Sequence, residues 1–188
     1  MPSLFLYSGG EVVKVEKVPI DLDKRRHLVY DLDAVYELEQ VYGSFAKAIK
    51  SVRLDAFDDT AKVLYFGLRH EDDTLSVAAA DHLIDVTNRF EVIEKIIKAV
   101  SLSLPDSSAV QTTNQQTQQP DSLDDSGWEW DWLYYMGTVL LGMSEAVFWS
   151  STPRKLFSLW AIHKRVNGWE ETESPEKTRA QAWIDQYI

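Results

Sequence analysis

Two histidines and four aspartates crowd one short stretch of the chain: His70, Asp72, Asp73, Asp81, His82 and Asp85. Imidazole nitrogens and carboxylate oxygens are the ligands of a hydrolytic metal ion. Such an ion wants two or three of them converging on one point, often as paired histidines on one helix face. Neither HxxxH nor HExxH spacing occurs here; His70 precedes a polar loop and His82 falls in the helix after it. Acidic helix and loop caps account for the aspartates. A metal-dependent hydrolase around His70 and His82 is the enzymatic alternative, and it predicts tight metal uptake. His163, beside Lys164 and Arg165, reads as the cationic end of a helix.

Other chemistry is poorly served. The chain has no cysteine, which removes disulfides, thiol catalysis and thiolate metal sites. Ser8-Gly9-Gly10 is a turn, no GxxxxGK[ST] phosphate loop occurs, and no serine stands in a GxSxG setting. The expectation is a binding protein and not an enzyme, with no catalytic residue, metal ligand or cofactor. What the chain does carry is aromatic: all seven tryptophans lie beyond residue 127, most of them between Trp128 and Trp160. The alternation Trp128-Glu129-Trp130-Asp131-Trp132 has the makings of a sugar-stacking platform. Trp132, Phe148 and Trp160 are needed to build the core of a small helical module. Trp128 and Trp130, at its edge, are expected to be exposed anchors for another protein.

Composition narrows the partner. The 188 residues carry a net charge of −11, whereas nucleic-acid affinity comes from neutralising phosphates with Lys and Arg. The same charge disfavours an anionic membrane surface, and no apolar run approaches the roughly 18–20 residues of a membrane span. Residues 1–10 lack the basic start and long apolar run of a signal peptide. A soluble, intracellular protein with neither nucleic-acid nor membrane partner is expected. At 45% hydrophobic the chain has material for real cores, and its acidity suits a protein that handles apolar partners. Ordinary acidic solubility explains the charge equally well.

The elements that position these residues are predicted to be mainly α. Valine-rich residues 11–18 read as a strand, with 27–30 as a hairpin partner. Asp31 N-caps a helix bearing Leu32, Val35, Leu38, Val41 and Tyr42 on one face and ending at Gly43. Ser44 caps a short helix with Phe45, Ala48 and Ile49, and a helix over 58–68 follows. Ser76 caps 77–86, with Ala79, Leu83 and Val86 inward. Asn88 and Glu91 resemble a capping box, and the helix after them carries Phe90, Ile93, Ile96, Ile97, Val100 and Leu104. That stripe is core or oligomer interface. Residues 105–126 shift to Gln, Thr, Ser, Asn, Asp and Pro, the mark of a flexible polar linker, whether working tether or mere spacer. Beyond it, a helix runs from the tryptophan cluster to about Leu141, where Gly142 breaks it. Ser144 caps a single turn with Val147, Phe148 and Trp149. Thr152-Pro153 opens a helix that Asn167-Gly168 closes, with Leu156, Phe157, Trp160 and His163 on one side. Ser174-Pro175 starts a last one with Ala180, Trp183, Ile184 and Tyr187. The expected organisation is an N-terminal helical domain with a small β-hairpin over 1–104, the linker over 105–126, and a small aromatic-rich helical module over 127–188.

The segment WDWLYYMGTVLLGMSEAVFWSSTPRKL, residues 130–156, resembles the C-terminal portion of tail assembly chaperones from long-tailed bacteriophages and prophages. The N-terminal half is similar to them more loosely, through LVYDLDAVYELEQVYGS at 28–44 and LYFGLRHED at 64–72. The likeness covers about four-fifths of the chain, leaving out the linker and the last helix. It implies a non-enzymatic assembly factor in the host cytoplasm, absent from the mature virion. In that family an N-terminal module coats the tape measure protein and keeps it soluble. An added C-terminal module, often joined by translational frameshifting, recruits tail tube subunits. Carrying both modules, this chain resembles the long form. The resemblance places the tube-protein surface at Trp128, Trp130, Tyr134, Phe148, Trp149 and Arg154. Stripe geometry alone suggests Leu38, Val41, Ile93, Ile97 and Val100 for self-association or the tape measure. The alternative is an acidic adaptor that uses the same aromatic surface for an unrelated partner.

Overall fold

A computed structural model describes residues 14–105 and 127–169, and over these the protein is mainly α-helical with one two-stranded antiparallel hairpin. The linker at 105–126, apart from Pro105, and the last helix expected from Ser174 lie outside the described residues. The hairpin pairs β1 (Val18–Asp21) with β2 (Arg25–Leu28), matching Val18 to Leu28 and Pro19 to His27. Of the strand expected over 11–18, residues 11–13 lie outside the described residues, and of the rest β1 takes up only Val18 and continues to Asp21. Val18 meets the last residue of β2, after which the chain turns into a helix, so β2 offers 14–17 no partner. Val18, Ile20 and Leu28 point into the core. The His27 N–H donates outward to Glu71 Oε2 at 3.0 Å. Its partner Pro19, which has no N–H, therefore forfeits no ladder bond.

Helix α1 (Leu32–Tyr42) starts at Asp31, whose carboxylate accepts from Ala34 N at 2.9 Å, and stops at Gly43 with φ of 79°. Ser44 caps α2 (Phe45–Ser51) in the same way, and α3 (Phe57–Leu68) crosses behind both. Gly67 lets α3 meet the hairpin: a Cβ there would lie 3.0 Å from Tyr30 Oη and Leu28 Cδ2. The Val29 N–H donates to Gly67 O and the fully buried Tyr30 hydroxyl to Val63 O.

Two expectations fail in the next stretch. Ser76 does cap α4, but the helix covers only Val77–Asp81, leaving Val86 and Ala79 exposed while Ala80 and Ile84 face inward. The capping box is Asp85 with Asn88, not Asn88 with Glu91. Asn88 N donates to Asp85 Oδ1 and Asp85 N to Asn88 Oδ1, each at 2.9 Å. This reciprocal pair offers the backbone an alternative to continued helix. In α5 (Arg89–Ser103) the buried face is Val92, Ile96, Ala99, Val100 and Ser103. Phe90 and Ile97 of the expected stripe point outward, at 70% and 43% exposure.

The second module is α6 (Trp130–Tyr135), a π turn (Met136–Leu140), α7 (Glu145–Trp149) and α8 (Pro153–Val166). Ser144 and Thr152 cap the last two, accepting from Val147 N and Lys155 N. The π turn replaces the end of an expected regular helix; its signature is Leu141 N donating to Met136 O at 2.9 Å, five residues back. Each module has its own core. The first gathers Val18, Leu28, Tyr30, Leu38, Leu64, Leu68 and Ile96 among others. The second holds Leu133, Met136, Phe148, Leu156 and Trp160, and also Leu32 from the start of α1.

Candidate protein-binding surface

Within the acidic and histidine stretch at 70–85, His70, Asp72 and Asp85 are engaged in local structure. Asp72 receives Arg26 Nη1 at 3.3 Å and the Thr74 hydroxyl at 2.6 Å; His70 Nδ1 lies 3.1 Å from Gly67 O. Burial of the His70 ring, with Lys17 nearby, holds its pKa below the usual value. Asp85 is occupied by Thr87 and Asn88. Among the described residues no three His, Asp or Glu side chains are grouped to hold a metal ion.

The aromatic module is a different matter, because it docks on α1. Leu32, Tyr36 and Glu39 recur at four- and three-residue steps and so share one helix face. Leu32 enters the second core, and its N–H donates to Ser151 O at 2.9 Å. The Tyr36 ring meets Trp130 edge-on at 5.1 Å and Trp149 at 5.6 Å. Glu39, only 6% exposed, accepts from Trp130 Nε1 at 2.6 Å and from Trp128 N at 3.2 Å. It also accepts a longer bond from Phe45 N at 3.4 Å. Hydrogen bonds to an ionised acceptor are about twice as strong as neutral ones, so this carboxylate holds the Trp128–Trp130 turn firmly.

The rings form a continuous ladder. Trp130 stacks on Trp128 at 5.8 Å and on Trp149 at 6.1 Å, and Trp149 continues to Tyr134 and Phe148. Trp128 also meets Phe157 edge-on at 6.3 Å. Ring faces engaged in this way are not the open faces that sugar stacking needs. The residues 128–132 line a shallow open groove of about 450 Å3.

At the far end, Arg154 reaches across to α5. Its Nε donates to Leu102 O at 2.9 Å and its Nη2 to Ser101 O at 3.0 Å. A guanidinium over the last carbonyls of a helix satisfies orphan acceptors and complements the negative end of the helix dipole.

The residues expected from sequence therefore separate. Trp128 and Trp130 are half-buried module contacts and not free anchors; Arg154 caps α5; Phe148 is fully buried. Trp149 is half-buried and Tyr134 is 37% exposed. In the other set Leu38 and Val100 are core, Ile93 is half-buried, and Val41 and Ile97 are exposed. The open aromatic face lies instead on Trp132, Tyr135 and Val139, at 41%, 46% and 61% exposure, with the two rings 5.9 Å apart. Their i, i+3, i+7 spacing was readable, but Trp132 looked like core. Glu39 and Tyr36 were missed altogether; their one sequence signal was that spacing with Leu32 on a second face of α1.

No family model matches the chain, and neither does any curated protein or solved structure.

Proposed function

We propose that the chain is a tail assembly chaperone of a long-tailed bacteriophage or prophage, acting in the host cytoplasm without catalysis and leaving before the virion is finished. It holds the tape measure protein soluble and recruits tail tube subunits to it. The resemblance of 130–156 names the family. The observation that supports the reading physically is a pair of apolar faces left partly exposed among the described residues, one on each module. The first is Phe90 and Ile97 with half-buried Ile93 on α5; the second is Trp132, Tyr135 and Val139. A helix face of this kind suits an amphipathic helical partner, and scattered half-exposed contacts suit binding that must later be reversed. In this reading Phe90, Ile93 and Ile97 meet the tape measure or a second chaperone, and Trp132, Tyr135 and Tyr134 meet the tube protein.

The test is coexpression with the tape measure and tube proteins of the same phage. The chain should keep the tape measure soluble, and Phe90→Ser with Ile97→Ser should abolish that rescue while retaining tube binding. A tape measure that stays insoluble with and without the chain refutes the proposal. It would leave the acidic adaptor as the better account of the aromatic surface.

A further inference from the structure

Glu39 is a buried carboxylate with an unusual set of partners: an indole N–H and a backbone N–H from the second module, and a backbone N–H from the first. Burying a charge is favourable only while donors replace its water. A carboxylate can regain that water if the donors leave, whereas an apolar side chain in its place would be stranded in solvent. The contact is therefore built to open as well as to close. The rest of the module has separate attachments. Ser151 O accepts from Leu32 N, and Arg154 grips the end of α5. Both anchor α8 and neither depends on Glu39.

We propose that Glu39 is a latch. It closes the Trp128–Trp130 turn onto α1, and release of that turn, with α8 still anchored and the first core still folded, uncovers Tyr36, Trp130 and Trp149 to solvent. Glu39 selects its own segment by chemistry: an indole N–H two residues after a free backbone N–H, the pattern Trp128-Glu129-Trp130 supplies. This goes beyond the tail-assembly reading and stands or falls without it.

The experiment is hydrogen exchange on the full chain, comparing wild type with Glu39→Gln and with Trp130→Phe. Gln keeps the volume but loses the charged acceptor; Phe keeps a ring but loses the indole N–H. Loss of a charge-assisted bond predicts exchange about tenfold faster or more for residues 128–135 in Glu39→Gln, and a smaller acceleration in Trp130→Phe. Protection of α3, α5 and α8 should stay at the wild-type level. Tryptophan emission of Glu39→Gln should move to the red, with stronger acrylamide quenching. Unchanged exchange of 128–135 in either variant overturns the latch. So does loss of protection in α3 and α5 together with 128–135, since docking would then belong to one cooperative core.

Discussion

Gly137 offers the sharpest test of the second core. It sits in the π turn with its α-carbon facing the Phe148 ring. A Cβ added there would lie 2.4 Å from Phe148 Cδ2, 2.9 Å from Cε2 and 3.4 Å from Leu156 Cδ1. Phe148 has no free direction in which to retreat: it is fully buried and packed against Tyr134 and Trp149, with ring centroids at 5.3 and 5.0 Å. Over-packing of this sort costs about 1–3 kcal/mol, while alanine recovers up to about 1 kcal/mol of backbone entropy that glycine loses in a helix. The contact at 2.4 Å puts the steric cost at the upper end, so Gly137→Ala should destabilise by about 1–2 kcal/mol. Because every tryptophan lies beyond residue 127, urea unfolding followed by indole fluorescence reads this module directly. The midpoint should fall in Gly137→Ala. The shortfall should shrink when Phe148→Leu is added, with a coupling of about 0.5 kcal/mol or more between the two sites. A midpoint equal to or above wild type, or strict additivity in the double variant, would refute the packing argument.

Asp31 predicts a dependence on pH. Burial first, with Asp33 adding to it and the Ala34 N–H opposing, pushes its pKa up to about 6 from 3.8. The folded state thus holds the proton more tightly than the unfolded chain, so the stabilising contribution is complete below pH 3.8 and lost as pH rises through about 6. Asp31→Asn keeps a good cap without titrating. It should match wild type near pH 4 and exceed it at pH 7 by on the order of 2–3 kcal/mol in urea midpoints; parallel pH profiles would sink this. Arg154→Ala should cost about 1–2 kcal/mol, seen as an earlier fluorescence-detected melt. Arg154→Lys should not restore it, because a single ammonium cannot span the Leu102 and Ser101 carbonyls as the planar fork does. Melting of the lysine variant at the wild-type temperature would argue against that geometry.

Much of the chain's punctuation was legible because it is local. Asp31, Ser44, Ser76, Ser144 and Thr152 all cap where their spacing predicted, since a side-chain oxygen need only reach an amide two or three residues on. Helix faces were harder. In α5 apolar residues occupy more than one side, and only the neighbours decide that Val92 and Ala99 go inward while Phe90 and Ile97 do not. The start of β1 has the same origin: Val15 is as good a strand residue as Val18 until β2 runs out of length. Least legible was the docking site. Spacing sets Glu39, and not Glu37, on the face of Leu32 and Tyr36, but nothing local says what that face meets. The role of Glu39 depends on Trp130, 91 residues downstream.

The π turn has a consequence for how this chain tolerates change in length. A five-residue repeat holds one residue more than an α turn, so removing a single residue between Met136 and Leu140 would give a regular helix of good local geometry. Because five residues of a π turn and four of an α turn each close about one turn, Gly142, Ser144 and the whole of α7 would stay nearly in phase with α1. Substitutions at Thr138 or Val139, both at least partly open to solvent, should be absorbed quietly, and the loss of either position should leave Phe148 and Trp149 close to their present seats.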